Sequence, residues 1–118
     1  MNRRDQILLK KILENQEVLT STIRELCISA PSDLDSIHVM IRRGMVQTVA
    51  DIFELTVPMS EDVLARLPLN HSIIKQFRNT ASHNYGQITN TLAYACIVHC
   101  VEKQLIKTVR ELQKEELL

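Results

Sequence analysis

The sequence contains few aromatic residues and few glycines and prolines. Its 118 residues include two glycines, three prolines, two tyrosines, two phenylalanines and no tryptophan. A chain of this length forms one domain, and its core must consist of leucine, isoleucine, valine, methionine and alanine. This composition is typical of an all-α protein, and we expect residues 1–118 to form a single helical domain.

The sequence also lacks net charge, because 14 basic residues balance 14 acidic ones. No global field therefore steers the protein toward nucleic acid or an anionic membrane, and a site for nucleic acid must be a local patch. No apolar run is long enough to span a bilayer, and the start of the chain contains no signal-peptide core. We expect a soluble, cytoplasmic protein without a membrane partner.

The three cysteines form an odd set that cannot pair completely within one chain. Cys96, His99 and Cys100 lie on one side of a predicted helix, and with Cys27 or His38 they could hold zinc. Small thiols are also common core residues. We favour reduced thiols in the core, and we predict neither a metal nor a cofactor.

Two long helices are predicted in the first half of the chain from apolar residues at three- and four-residue spacing. The first covers about residues 4–27. The second begins at Ser32, where Asp35 completes a pattern like a capping box, and ends near Pro58. Gly44 inside this helix suggests a close helix crossing, because glycine costs about 1 kcal/mol in a helix interior.

A short connecting helix and two further helices are predicted in the second half. The connector follows Ser60, and a third helix runs from Asn70 to about residue 84, where Gly86 supplies a left-handed stop. Thr89 caps a last helix that reaches about residue 113. Its first half is apolar on nearly every side, which indicates either the central helix or half of a dimer interface. We expect an antiparallel four-helix-type bundle that forms a homodimer.

Residues 78–86, with the sequence RNTASHNYG, concentrate the groups able to do chemistry. They contain a guanidinium (Arg78), an amide (Asn79), an imidazole (His83) and a phenol (Tyr85). On an ideal helix Asn79 and His83 share a face, whereas Arg78 and His83 point roughly 140° apart. Arg78 and His83 can therefore converge in two ways: the helix unwinds before Gly86, or a second copy of the chain supplies its own pair across a two-fold axis.

A cleft in which two copies of the chain bring these residues together suits attack by a ribose 2'-hydroxyl on the adjacent phosphodiester of RNA. A histidine such as His83 can transfer the proton, and the Arg78 guanidinium can hold the phosphate and its growing charge. Asn79 would orient either group. In the alternative interpretation Arg78 is solvated, and His83 is a cation at a helix C-terminus. The ring of Tyr85 then packs against the protein while its hydroxyl is exposed to solvent.

The same residues resemble a known family signature. Arg78-Asn79 followed by His83-Asn84-Tyr85-Gly86 is similar to the R-N-x-x-x-H-x-Y-G motif of HEPN-domain proteins, in particular the HepT-like toxins of HEPN/MNT toxin-antitoxin systems. The specific part of the resemblance covers residues 78–86, and helix order and length extend it loosely over most of the chain.

The resemblance implies a homodimeric helical bundle that cleaves RNA without a metal and leaves a cyclic phosphate. Arg78 and His83 would match the catalytic pair of the family, and Asn79 its polar companion. Tyr85 would match the tyrosine that a partner nucleotidyltransferase of the MNT type, the antitoxin, modifies with adenylate.

Four further residues could give a neutral protein the local positive patch that RNA requires. Arg42 and Arg43 lie in the second helix, and His71 and Lys75 precede the motif. Neighbouring arginines on a helix are otherwise solvated or paired with acids. Two other functions remain open at this point: a non-catalytic HEPN-like module that docks a nucleotidyltransferase, and a plain helical dimerisation domain.

Overall fold

The computed structural model describes residues 1–117, and for Ile73, Glu116 and Leu117 it describes the backbone alone. Within this range every regular element is a helix, which confirms the all-α prediction. No helix in this range is long and apolar enough to cross a membrane. In chain order the elements are α1 (Arg3–Glu25), a 3-10 turn (Pro31–Asp35), α2 (Val39–Thr56), α3 (Glu61–Leu64), α4 (His71–His83), a second 3-10 turn (Tyr85–Gln87), α5 (Asn90–Tyr94), a π-helical segment (Ala95–Leu105) and α6 (Ile106–Leu117).

The predicted start of the second helix at Ser32 is wrong. Residues Pro31–Asp35 form a separate 3-10 turn, and α2 begins only after it. The Asp33 carboxylate accepts hydrogen bonds from the backbone N–H groups of Ser29 at 2.8 Å and Ala30 at 3.0 Å. These bonds lower the pKa of Asp33 from its ordinary value, because they stabilise the ionised form. The local bonds to Asp33 close the turn on itself.

The left-handed residue of the chain lies at the end of α1 and not at Gly86. Cys27 has a φ of 54°, whereas no glycine has a positive φ. The N–H of Ile28 donates to the carbonyl of Ile23 at 3.1 Å, and the N–H of Cys27 donates to that of Arg24 at 3.2 Å. These two bonds form a Schellman motif, which satisfies carbonyl groups that a helix end would leave open.

The neighbours of α1 run antiparallel to it. At the start of α1, the buried Asp5 carboxylate accepts hydrogen bonds from the N–H and the hydroxyl of Ser60, at 3.1 and 2.5 Å. Just beyond the end of α1, the Tyr94 hydroxyl donates to the carbonyl of Ser29 at 2.9 Å. The chain leaving α2 thus returns to the first residues of α1, and the last helical stretch starts beside its end.

The helices α2 and α4 are also antiparallel, and this pairing positions the motif. Near the end of α2, the ring of Phe53 packs edge-to-face on Phe77 with centroids 5.6 Å apart, and both side chains are buried. Near the start of α2, Arg42 reaches Tyr85. The motif therefore runs along α2 toward its N-terminal end.

The last helical stretch, residues 90–117, forms much of the core. As predicted, Thr89 caps it, with its hydroxyl accepting a hydrogen bond from the N–H of Leu92 at 3.2 Å. The central-helix interpretation accounts for its apolar first half, because most of those side chains are buried in the chain itself. They are Ala93, Cys96, Ile97, Val98, Val101 and Leu105. The π-helical segment was not predicted, and we have no physical account of it.

Gly44 does not mark a close crossing within the chain. A Cβ atom added to it would meet no other atom within 4 Å. Gly44 lies in a shallow groove between α1 and α2, whose rim includes Val18 and Ile41, 58% and 40% exposed. The predicted crossing inside one chain is therefore wrong.

Candidate functional site

The helix α4 carries the first six residues of the motif without interruption. It remains helical through His83, and the backbone leaves the helical region at Asn84, which has a φ of −152°. Arg78 and His83 therefore lie on one regular helix and point roughly 140° apart. Unwinding before Gly86 does occur, but it comes after His83 and so does not bring this pair together.

Arg78 is held at the α2 side of α4. Its Nη2 forms an ion pair with the Glu54 carboxylate, and the two side chains are 27% and 62% exposed. The Arg78 Nε is buried, and no described residue accepts a hydrogen bond from it. The Arg78 guanidinium thus contacts one carboxylate with one nitrogen and leaves part of its fork unused.

Asn79 and His83 lie one turn apart and are both exposed. Among the described residues neither side chain has a hydrogen-bond or ion-pair partner. His83 is the last residue of α4, where the helix dipole favours a cation. The exposed His83 ring can approach a ligand without first breaking a side-chain contact.

Tyr85 is half-buried between two guanidinium groups. The Nη1 of Arg42 donates a hydrogen bond to the Tyr85 hydroxyl at 2.5 Å. The guanidinium carbons of Arg42 and Arg43 lie 5.3 and 4.7 Å from the ring centroid. Both distances are within the range of cation–π attraction.

Arg42 is the centre of a wider network. Its Nε donates to the Asn90 side-chain oxygen at 2.7 Å, and its Nη2 donates to the Ile88 carbonyl at 2.7 Å. The Asn90 amide in turn donates to the Asp35 carboxylate. Three nitrogens of Arg42 are thus bonded within the chain, whereas the exposed Arg43 has no hydrogen bond or ion pair among the described residues and lies near the Tyr85 ring.

The predicted positive patch is divided between two ends of α2. Lys75 and His71 are exposed on α4, and Lys75 lies three residues before Arg78. Arg42 and its neighbour lie instead at the Tyr85 end. Since Glu54 and Arg42 are 12 positions apart on α2, their backbones are separated by about 18 Å along the helix.

The thiol and imidazole groups considered for zinc do not form a cluster of ligands. No group of three such residues able to hold a metal occurs in the part of the chain that the structure describes. Burial, with a smaller effect of Cys100, raises the pKa of Cys96 to about 12, and burial also raises the pKa of Cys100. Neutral thiols are poor metal ligands. His99 is exposed and packs edge-on against Tyr94.

A hollow of about 320 Å³ lies beside the motif, between α4 and the start of the last helical stretch. It is lined by Gln76, Phe77, Thr80, Gln87 and Leu92. None of the ionisable side chains of the motif lines it. The hollow can accept a small group, and Gln76 and Thr80, which line it, lie seven and three residues before His83 and so share a face of α4 with it.

Glu54 and Asn90 of this region were not singled out from the sequence, and Asp35 was considered only as part of the capping pattern at Ser32. Each of the three acquires its partner through a contact between different elements. The spacing of residues within one helix carries no information on such contacts.

No family model matches the chain, and no curated protein and no solved structure matches it. The resemblance to HEPN-domain proteins therefore rests on residues 78–86 and on the order of the helices.

Proposed function

We propose that the protein is a metal-independent endoribonuclease of the HEPN type that acts on single-stranded RNA as a homodimer of helical bundles. The observation that carries this proposal is the presentation of the motif on α4. His83 and Asn79 are exposed and without side-chain partners among the described residues, and Arg78 is anchored one turn away. A proton-transfer group and a phosphate-binding cation thus stand on the same helix.

The proposal requires a second copy of the chain, because Arg78 and His83 diverge by roughly 140° on one regular helix. Across a two-fold axis, each composite site would combine side chains from both copies. Exposed apolar side chains support such an interface: Val39 and Met40 at the start of α2 are 62% and 65% exposed.

In the proposed reaction the ribose 2'-oxygen attacks the adjacent phosphorus while one histidine, His83, accepts its proton. The bond from phosphorus to the 5'-oxygen breaks, and the His83 of the second copy protonates the leaving oxygen. The two products carry a 2',3'-cyclic phosphate and a 5'-hydroxyl. Arg78 neutralises charge that accumulates on the phosphate, and Asn79 orients the phosphate or the imidazole.

Cleavage of a labelled single-stranded RNA in excess chelator tests this proposal. We expect the wild type to produce cyclic-phosphate ends and His83→Ala to lose this activity. The matched control is His99→Ala, which removes an exposed histidine that lies outside the motif and outside the predicted RNA patch. If a folded, unmodified wild-type dimer leaves RNA intact, the nuclease proposal is wrong.

A nucleotidyltransferase of the MNT type is proposed as the antitoxin, with Tyr85 as the residue that it modifies with adenylate. Tyr85 is half-buried, and its hydroxyl lies next to the Arg42 guanidinium, which can stabilise a phosphodiester on that oxygen. Intact-mass and peptide analysis after co-expression with the partner and ATP should find the adenylate on Tyr85 and not on Tyr94. Its absence, or modification of Tyr94, would refute this assignment.

The second candidate function is a non-catalytic module that docks a nucleotidyltransferase. One observation favours it: in a single chain Arg78 faces Glu54 and His83 faces solvent, so one copy holds no complete catalytic pair. This function predicts a complex in which the activity of the nucleotidyltransferase changes. If the activity of the nucleotidyltransferase does not change when this protein binds to it, the docking function is excluded.

A further inference from the structure

We propose that Glu54 competes with the RNA phosphate for the Arg78 guanidinium and thereby lowers the affinity of the site for phosphate. This inference rests on the proposed function, since it assigns Arg78 to phosphate binding. It assigns a role to Glu54 in α2, a residue that lies outside the motif of residues 78–86. The carboxylate of Glu54 occupies the position at Arg78 that a phosphate oxygen would take.

The contact between the two residues is of a kind that a ligand can displace. Nη2 of Arg78 pairs with the carboxylate, and the buried Nε has no acceptor among the described residues. A guanidinium can bind two oxygens with two nitrogens, and a phosphate offers both. Glu54 is 62% exposed, so its side chain can turn into water when phosphate arrives.

A role for Glu54 as a rigid support of Arg78 fits the structure less well. A support would itself be packed and bonded to several groups, as Arg42 is at the other end of α2. The Glu54 side chain is mostly exposed, and its ion-pair partner is Arg78. Loss of its charge should therefore release Arg78 for phosphate.

The expected size of the effect follows from the exposure of the pair. Exposed ion pairs contribute little to stability, so removing this one should tighten phosphate binding by about two- to fivefold. A conservative variant, Glu54→Gln, removes the charge and keeps the shape. Glu54→Asp keeps the charge on a shorter side chain and should fall between the wild type and Glu54→Gln.

The control is Asp51→Asn, which makes the same change in net charge one turn earlier on α2. The Asp51 carboxylate accepts a hydrogen bond from the Gln47 amide at 2.9 Å, and among the described residues it has no hydrogen-bond or ion-pair partner on α4. A general change in the electric field of the helix would affect both variants alike. Competition for Arg78 would affect Glu54→Gln alone.

The measurement is a titration of the full chain with inorganic phosphate at constant ionic strength, followed through the Nε–Hε NMR signal of Arg78. The signal is assigned by its loss in Arg78→Lys. We expect half-saturation at a two- to fivefold lower phosphate concentration in Glu54→Gln than in the wild type or Asp51→Asn. Unchanged or weaker binding in Glu54→Gln, or equal tightening in both variants, overturns the inference.

This readout separates the inference from the nuclease proposal, because it requires no RNA cleavage. Tighter phosphate binding in a protein that leaves RNA intact would support the role of Glu54 and refute the nuclease. If the wild type cleaves RNA and Glu54→Gln binds phosphate with wild-type affinity, the nuclease proposal is supported and the role of Glu54 is refuted.

Discussion

The two ends of the α2–α4 pair are built in different ways. At the Tyr85 end, Arg42 donates three hydrogen bonds, and Asn90 links them to Asp35. At the Arg78 end, the ion pair between Arg78 and Glu54 joins the helices beside the packed rings of Phe53 and Phe77, and Asn79 is exposed. The difference indicates that more hydrogen bonds connect the motif to the fold at the Tyr85 end than at the Arg78 end.

The energies expected for these contacts also differ between the two ends. Hydrogen bonds from a charged group contribute about 1.5–3 kcal/mol where water is excluded, whereas exposed ion pairs contribute about 0–1 kcal/mol. Substitutions at the Tyr85 end should therefore change the free energy of unfolding. Substitutions at the Arg78 end should change ligand binding or catalysis and leave the free energy of unfolding nearly constant.

The largest expected effect is the loss of RNA cleavage in His83→Ala. Proton transfer by a positioned side chain contributes about 100-fold or more to a rate. The free energy of unfolding should change by less than about 0.5 kcal/mol, since His83 is exposed. Cleavage rates and denaturant unfolding of the same sample check both statements. A large loss of stability would show that His83 belongs to the scaffold.

The next effect is on stability and comes from Arg42→Met. This variant removes the hydrogen bonds to Tyr85, Asn90 and Ile88 while keeping much of the aliphatic chain. We expect the free energy of unfolding to fall by about 2–3 kcal/mol. Arg43→Met, which loses only a contact with the ring, should cost less than about 1 kcal/mol. Equal losses in the two variants would contradict the special position of Arg42.

A comparison of two asparagines tests the same division at a smaller scale. Asn90→Ala breaks the bonds to Arg42 and Asp35 and should cost about 1–2 kcal/mol. Asn79→Ala should be neutral, or slightly stabilising by up to about 0.5 kcal/mol, because alanine is the better helix former at an exposed position. Thermal and denaturant unfolding distinguish these outcomes, and the opposite order would reverse our assignment of the two ends.

The smallest effect is expected for Tyr85→Phe, which removes the acceptor of one Arg42 hydrogen bond and keeps the ring between the two guanidinium groups. The expected loss is about 1 kcal/mol. Tyr94→Phe is the matched control, since its hydroxyl donates to the Ser29 carbonyl in a more exposed place. If Tyr85→Phe is neutral in denaturant unfolding, the hydroxyl contact does not contribute to the fold.

Local sequence signals predicted some helix boundaries and missed others for a common reason. The cap at Thr89 and the short helix after Ser60 are confirmed, because each is specified by neighbouring residues. The start at Ser32 and the left-handed Gly86 were wrong. At both places a competing local bond decided the backbone: the Asp33 turn in one case, and the 3-10 turn at Tyr85–Gln87 in the other.

Some features of the candidate site could likewise be predicted from the sequence and others could not. The divergence of Arg78 and His83 could be derived from helical geometry, and α4 retains it. The grouping of Arg42 and Arg43 with Tyr85 could not, since the sequence placed the arginines in a possible RNA patch without a partner. Their contact depends on how α2 and α4 pack, and many packings are compatible with the same apolar pattern.

By itself the sequence determined that the chain is helical, because apolar residues recur at helical spacing and glycine and proline are few. It also determined which chemical groups stand together on α4, because these groups are neighbours along the chain. Only the tertiary structure decided that Arg42 holds Tyr85 and that Glu54 faces Arg78. Such contacts join residues from different helices, and their formation depends on the packing of the whole core rather than on local spacing.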